Sequence, residues 1–243
     1  MARVSAVRFQ IMPKPERPWI VSPHGPIVKH EANLWTVAGM LPGTPVPRRM
    51  AMARRQDGTV LCYHAIPLEE AALAEVRAWG TPTQLVVGNA SHGVDAAAFA
   101  RKLGLKIYGP RGDATRMRAR WEMAGTLEDL PADLGVAFES MAGTRAGEPV
   151  ELVRSGDRLS LVFCDAIQNH GEDGPLLTRL LGFRGGPRVV PLFKLLFTSD
   201  RAALKAHLLR LADLPGLTRL IPCHGAIVEH DAPAVLRRAA AGL

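Results

Sequence analysis

Three apolar runs in this chain each stop on a polar loop. Thr83-Gln-Leu-Val-Val87 runs into Gly88-Asn-Ala-Ser-His-Gly-Val-Asp95. Arg158-Leu-Ser-Leu-Val-Phe-Cys164 runs into Asp165-Ala-Ile-Gln-Asn-His170. Leu217-Thr-Arg-Leu-Ile-Pro-Cys223 runs into His224-Gly225. Runs this short and this apolar read as buried strands. Strands buried on both faces need covering layers, so the chain must supply helices or a second sheet to pack over them.

The helix signals lie between and after those runs. Pro67 to Trp79 opens with proline and two glutamates, which suit the positive end of a helix dipole, and Gly80 closes it. Ala96 to Gly104 reads as a second helix. Ser199 or Asp200 caps a third, Arg201 to Leu214, whose leucines and alanines recur at helical spacing. Ala232 to Gly242 is the last. Before all of these, the apolar runs from Ile27 to Leu41 and around Asp57-Gly58 read as antiparallel strands with a hairpin turn. Leu105 to Pro110 is a further strand, residues 111–134 are polar and partly helical, and a strand pair turns at Ser155-Gly156-Asp157. Residues 1–26 are proline-rich and read as an extended arm. The order predicts an α+β fold of sheets sandwiched by helices, not a doubly wound parallel sheet. All 243 residues are expected to form one domain.

Residues 171–197 interrupt this pattern with an apolar stretch broken by glycine and proline. It is read as an insertion, which either folds onto its own domain or serves as a lid or an interface, with residues 176–197 a candidate homodimer surface. No run is long and apolar enough for a transmembrane helix. The N-terminus lacks the apolar core of a secretory signal, and the three cysteines are too few and too scattered for a disulfide framework. Both features favour a cytoplasmic protein. The net charge of +7 comes from scattered arginines with no long basic block, and only 5% of residues are aromatic. A solvated basic surface accounts for this better than a nucleic-acid footprint, so a nuclease ranks last among the functions considered.

The polar strand ends carry the candidate chemistry. His92, Asp165 and His224 form a two-histidine, one-carboxylate set suited to one ion of zinc, iron or manganese. Asp95 is a candidate fourth ligand or general base, with Asp165 the other catalytic carboxylate. Asn89 and His170 are candidate substrate-binding residues, His170 also serving as an alternative base. Each residue has a plainer role open to it: Asp165 as a turn cap, His224 as a satisfied core histidine, His92 as an exposed loop residue. Cys164 and Cys223 sit beside Asp165 and His224, and a thiolate is a good zinc ligand, but alternation along a strand places both on the opposite face, as small core hydrophobes.

The order of these segments resembles the metallo-β-lactamase fold, a four-layer αββα sandwich. The resemblance runs from about Ile27 to the C-terminus and rests on LVVGNASHGVDAAAFARKLGLKIYGP, SGDRLSLVFCDA and RLIPCHG. It implies that Asp165 and His224 occupy ligand positions. It also implies departures. The family's metal loop reads His-x-His-x-Asp-His, where this chain has Asn89-Ala-Ser91-His92-Gly93-Val94. Its middle histidine aligns with Thr144 in Gly143-Thr144-Arg-Ala-Gly147. The chain is similar to a divergent branch of the family, with a degenerate metal motif and a loop of the form Asn-x-x-His. The resemblance implies a mononuclear metal-dependent hydrolase of ester, lactone, amide or phosphodiester substrates. A non-catalytic ligand-binding or interaction protein is the alternative.

Overall fold

The computed structural model describes residues 17–44, 46–171 and 185–243. Most of the expected N-terminal arm and residues 172–184 of the apolar insertion lie outside them. Within the described residues, two sheets face each other. The larger has seven strands in chain order: β1 (Val28–Glu31), β2 (Leu34–Met40), β3 (Pro47–Arg54), β4 (Thr59–Tyr63), β5 (Thr81–Val86), β6 (Lys106–Gly109) and β7 (Met123–Thr126). The first four pair antiparallel, and β4 through β7 run parallel. The smaller sheet is ordered β11-β10-β9-β8, built from β8 (Val136–Ser140), β9 (Pro149–Ser155), β10 (Arg158–Phe163) and β11 (Leu217–Pro222). In it only β10 and β11 are parallel.

The switch from antiparallel to parallel follows from the connections. Residues 55–58, which include Asp57-Gly58, turn β3 into β4, with Gly58 at φ +82°, a conformation that favours glycine. Crossing from β4 to a parallel β5 needs a longer link, which is α1 (Glu70–Trp79). The β5–β6 crossover is α2 (Ala96–Leu103), closed by Gly104 in the left-handed conformation. The short α3 (Ala114–Arg118) leads towards β7. In the second half, α4 (Pro191–Leu196) and α5 (Arg201–Ala212) lie between β10 and β11, and α6 (Ala232–Ala241) follows them. The Asp200 side chain accepts from the Ala203 amide and caps α5 as its position in the sequence implies.

Alternation along the strands divides the core into three apolar layers. Leu34, Ala51, Ala53, Leu61, Tyr63 and Val86 point from the larger sheet to meet Val136, Val153, Val162 and Ile221 of the smaller. Their neighbours Trp35, Met50, Met52, Val60 and Leu85 point the other way, against α1 and α2. Leu159, Leu161 and Phe163 pack with Leu204, Leu208 and Leu236 of α5 and α6. Three apolar interfaces make four layers in the order helix, sheet, sheet, helix, as expected. Fully burying one such side chain contributes roughly 1.5–3 kcal/mol.

Two strands escaped the sequence reading. β7 and β8 lie in the stretch read as polar and partly helical or just after it, and neither shows clean alternation of buried and exposed positions. Of the apolar insertion, α4 buries Phe193, while Leu195, Leu196 and Phe197 are exposed by 68%, 50% and 37%. No helix among the described residues is long and apolar enough to cross a membrane.

Candidate metal centre

The parallel strand pairs determine where the site lies. In the larger sheet β4 and β5 are parallel neighbours, and in the smaller sheet β10 and β11 are. Parallel neighbours bring their C-terminal ends side by side, which is where open α/β sheets place their ligands. The sheets face each other, so four strand ends converge. They bring His64 from the end of β4, His92 from the loop after β5, Cys164 and Asp165 from the end of β10, and Cys223 and His224 from the end of β11.

Asp165 sits between two imidazoles. Its Oδ2 lies 2.7 Å from His92 Nε2, and its Oδ1 lies 3.3 Å from His224 Nε2. The His92 ring centroid is 5.3 Å from that of His64 and 5.4 Å from that of His224. The structure therefore brings His92, Asp165 and His224 together. His224 Nδ1 lies 2.6 Å from the Pro47 carbonyl oxygen and donates to it, which fixes the ring and turns Nε2 towards the cluster. His170 stacks on His224 at 6.4 Å, with its Nε2 2.6 Å from Gln168 Oε1.

Two other candidates support the loops. Asn89 Oδ1 accepts from the Ser91 amide at 2.8 Å, and its Nδ2 donates to Cys164 Sγ at 3.9 Å. It shapes the turn that presents His92. Asp95 is buried in an ion pair with Arg48 at 2.6 Å, and Arg48 also donates to the Ala65 carbonyl next to His64. Arg48 and Asp95 thus tie the His92 loop to the end of β4.

The sequence reading missed two contributors and set a third aside. His64 stands in the apolar stretch Cys-Tyr-His-Ala-Ile and reads there as a strand residue. It lies just beyond the end of β4, at φ +65°, with the Tyr63 ring stacked against it at 4.2 Å. It is only 5% exposed, and neither of its ring nitrogens has a hydrogen-bond partner among the described residues. A buried imidazole with both nitrogens unpaired is costly, as is a non-glycine residue at positive φ, and such sites cluster at functional centres.

Glu148 is the second. Its Oε1 accepts from the amides of Asp165 at 2.8 Å and Ala166 at 2.7 Å, holding the turn that projects Asp165. Burial pushes its pKa up to about 8, helped by the nearby charge of Asp165. Thr144 belongs to this support and not to the metal cluster. Its hydroxyl accepts from the Glu148 amide and donates to the Met141 carbonyl.

The third contributor is Cys223, and here strand alternation misleads. β10 ends at Phe163 and β11 at Pro222, so Cys164 and Cys223 lie beyond the last regular residues, where facing by parity no longer applies. Cys164 does pack in the core between the sheets, yet its sulfur also borders His92 and Asp165. The Cys223 sulfur groups with His64 and His92, all three ligand atoms lying within 4.8 Å of one another.

Charges reinforce each other in this cluster. Burial disfavours the Asp165 carboxylate, yet His92 and His224 hold its pKa well below the usual value. Burial also disfavours the His92 cation, but Asp165 raises its pKa well above normal. That of His224 rises to about 9 against the effect of burial, through Cys223 and Asp165. Burial opposes ionisation of Cys223, but the His64 and His224 charges pull its pKa well down. Cys164, governed by burial, is raised well above normal.

The loops carrying Asp165 and His224 are joined by backbone bonds. Asn169 N donates to His224 O at 3.1 Å, and Ala226 N donates to Asn169 O at 2.8 Å. Gly225 lies between them at φ +95°, where a Cβ would fall 1.8 Å from Asn169 O. The His-Gly pair is thus a steric requirement as well as a source of the imidazole.

Solved structures share this arrangement of layers. The DIM-1 metallo-β-lactamase exposed to ceftazidime superposes with a TM-score of 0.60 at 13% identity, covering 89% of this chain and 96% of that one. The chain has the metallo-β-lactamase fold. The FIM-1 metallo-β-lactamase from Pseudomonas aeruginosa, in its mono-zinc form, superposes at 0.56 with 13% identity over 90% of this chain and 96% of that one. A metallo-β-lactamase from Pontibacter korlensis gives 0.57 and 12%, over 89% and 99%. No family model matches the sequence. A curated relative with detectable sequence similarity is a hydroxyacylglutathione hydrolase of Anaeromyxobacter dehalogenans (strain 2CP-C), 29% identical over 159 residues. The match spans 57% of this chain and 62% of that enzyme. On the metallo-β-lactamase fold seen here, the cluster of His64, His92, Asp165, Cys223 and His224 sits where the two sheets bring their parallel strand ends together.

Proposed function

We propose that this protein is a metal-dependent hydrolase whose single ion is held by His92, Asp165 and His224. The observation that carries the reading is the convergence of these three side chains beside His64, a buried imidazole with no hydrogen-bond partner among the described residues. The donors fit an ion of the zinc type: neutral imidazoles, one carboxylate and an adjacent thiol. When bound, such an ion supplies Lewis acidity that acidifies water and polarises an acyl carbonyl.

The chain's own groups do the remaining work. Asp165 aligns both imidazoles, Glu148 fixes Asp165 through its backbone, and the Pro47 carbonyl sets the His224 tautomer. Burial lowers the pKa of His170, which favours its uncharged form. A neutral imidazole at this edge of the site is suited to take a proton from the attacking water. The substrate class is an ester, thioester, lactone, amide or phosphodiester of a small molecule. The similarity to a hydroxyacylglutathione hydrolase and the mono-zinc form of FIM-1 favour a thioester or ester and zinc.

The test is metal content by elemental analysis of tag-free protein, paired with hydrolysis of aryl ester and thioester substrates. About one ion per chain is expected, with at least a tenfold loss of affinity in His224→Ala, a change comparable to losing a ligand's support. A protein that takes up no zinc, iron or manganese would sink the reading and leave a ligand-binding scaffold. Exposed Leu195, Leu196 and Phe197 support self-association through this face. Light scattering should report a dimer, and a monomer at micromolar concentration would dismiss it.

A further inference from the structure

We propose that Cys223 is a thiolate ligand of the same ion, with His64 beside it, so that the metal sits in a mixed nitrogen, oxygen and sulfur shell. The inference rests on the reading that the cluster binds metal, and it adds which ion is preferred.

The geometry comes from strand ends and not from motif spacing. Cys223 is 3% exposed and His64 5%, and their ligand atoms lie within 4.8 Å of each other and of His92. The Cys223 sulfur makes a long hydrogen bond, 3.6 Å, to the Arg49 carbonyl. Neither ring nitrogen of His64 has a partner among the described residues, so a buried imidazole is aimed into this space with its bonding capacity unspent. His92 belongs to the group with His64 and Cys223 and also contacts Asp165, which in turn contacts His224. His92 is the residue common to both sets, so an ion bound at His92 has the Asp165 carboxylate as one neighbour and, in a separate group, the Cys223 sulfur and the His64 imidazole within ligand range.

Cys164 is the competing sulfur, grouped with His92 and Asp165, but its other surroundings differ from those of Cys223. It packs in the core between the sheets, accepts from Asn89 Nδ2, and lies so close to Gly88 that a Cβ there would fall 2.4 Å from its sulfur. These contacts assign it to holding the His92 loop. A thiolate in the shell selects soft and borderline ions, so zinc is favoured and manganese disfavoured.

The experiment is cobalt substitution of the full chain. Cobalt(II) bound to a thiolate gives an intense near-ultraviolet charge-transfer band, which nitrogen and oxygen ligands do not. The wild type should show it. Cys223→Ser and Cys223→Ala should lose the band while still binding cobalt through His92, Asp165 and His224, and Cys164→Ser should keep it. Circular dichroism confirms that each variant is folded. Competition between zinc and manganese should show the zinc preference falling at least about tenfold in Cys223→Ser. If cobalt binds without the band, or the band survives in both Cys223 variants, the thiolate assignment is wrong and the metal reading stands. If the wild type binds no cobalt, both are overturned.

Discussion

Asp165→Asn should abolish hydrolysis, by roughly a thousandfold or more, and weaken metal binding with it. The substitution keeps the size of the side chain and its place in the turn, because Glu148 holds the backbone amides of Asp165 and Ala166 and not the carboxylate. What is lost is the negative charge between His92 and His224. A second readout follows in the metal-free protein. His224 has a pKa of about 9 partly because Asp165 faces it, and His92 is raised for the same reason. In the variant both should titrate lower, and NMR of the imidazole resonances would follow them.

The pH dependence of stability should change as well. The raised histidines stabilise the metal-free fold fully below 6.5, their unperturbed value, and that contribution fades as pH rises through about 9. The depressed carboxylate contributes fully above 3.8, its unperturbed value, and loses its effect as pH falls through its lower folded value. Asp165→Asn should flatten both limbs. Unchanged metal content and rate in this variant would remove Asp165 from the centre altogether.

The sequence displayed the strand ends but not every group that uses them. Asp165 and His224 stand out because each follows an apolar run that has visibly ended, and a charged or imidazole side chain there must find a partner. His64 follows the same rule, yet Ala65 and Ile66 continue the apolar run beyond it, so the end of β4 is invisible until the sheet is seen. The facing of Cys223 was misread for a related reason. Parity assigns faces only while the strand stays regular, and Cys223 lies one residue past its end. Glu148 and Arg48 act over 17 and 47 residues of separation, on Asp165 and Asp95, through contacts that no local pattern encodes. The helices and the layer order were legible because they depend on periodicity and end signals. β7 and β8 were not, being short edge strands without clean alternation of buried and exposed positions.

Glu151→Gln should stabilise the protein, and more so as the pH rises. Glu151 lies on β9, on the same face as Val153, which packs between the sheets. It is fully buried, and neither carboxylate oxygen has a hydrogen-bond partner among the described residues. Burial pushes its pKa up to about 8, with Arg55 opposing only in part, so the folded protein keeps it protonated where the unfolded chain, near 4.5, releases the proton. Between these values the folded state binds more protons than the unfolded one, so Glu151 makes stability fall as pH rises from about 4.5 to about 8. Glutamine retains the shape and does not titrate. The gain should be small near pH 4.5 and reach on the order of 2 kcal/mol at pH 8, scaled down from the full shift because buried groups relax. Urea unfolding of both proteins at pH 5, 6.5 and 8 isolates the effect, since the histidine contributions cancel in the difference. A variant less stable than the parent by the same amount at every pH would mean that the carboxylate is charged in the fold and paired with Arg55, whose Nε has no hydrogen-bond partner among the described residues.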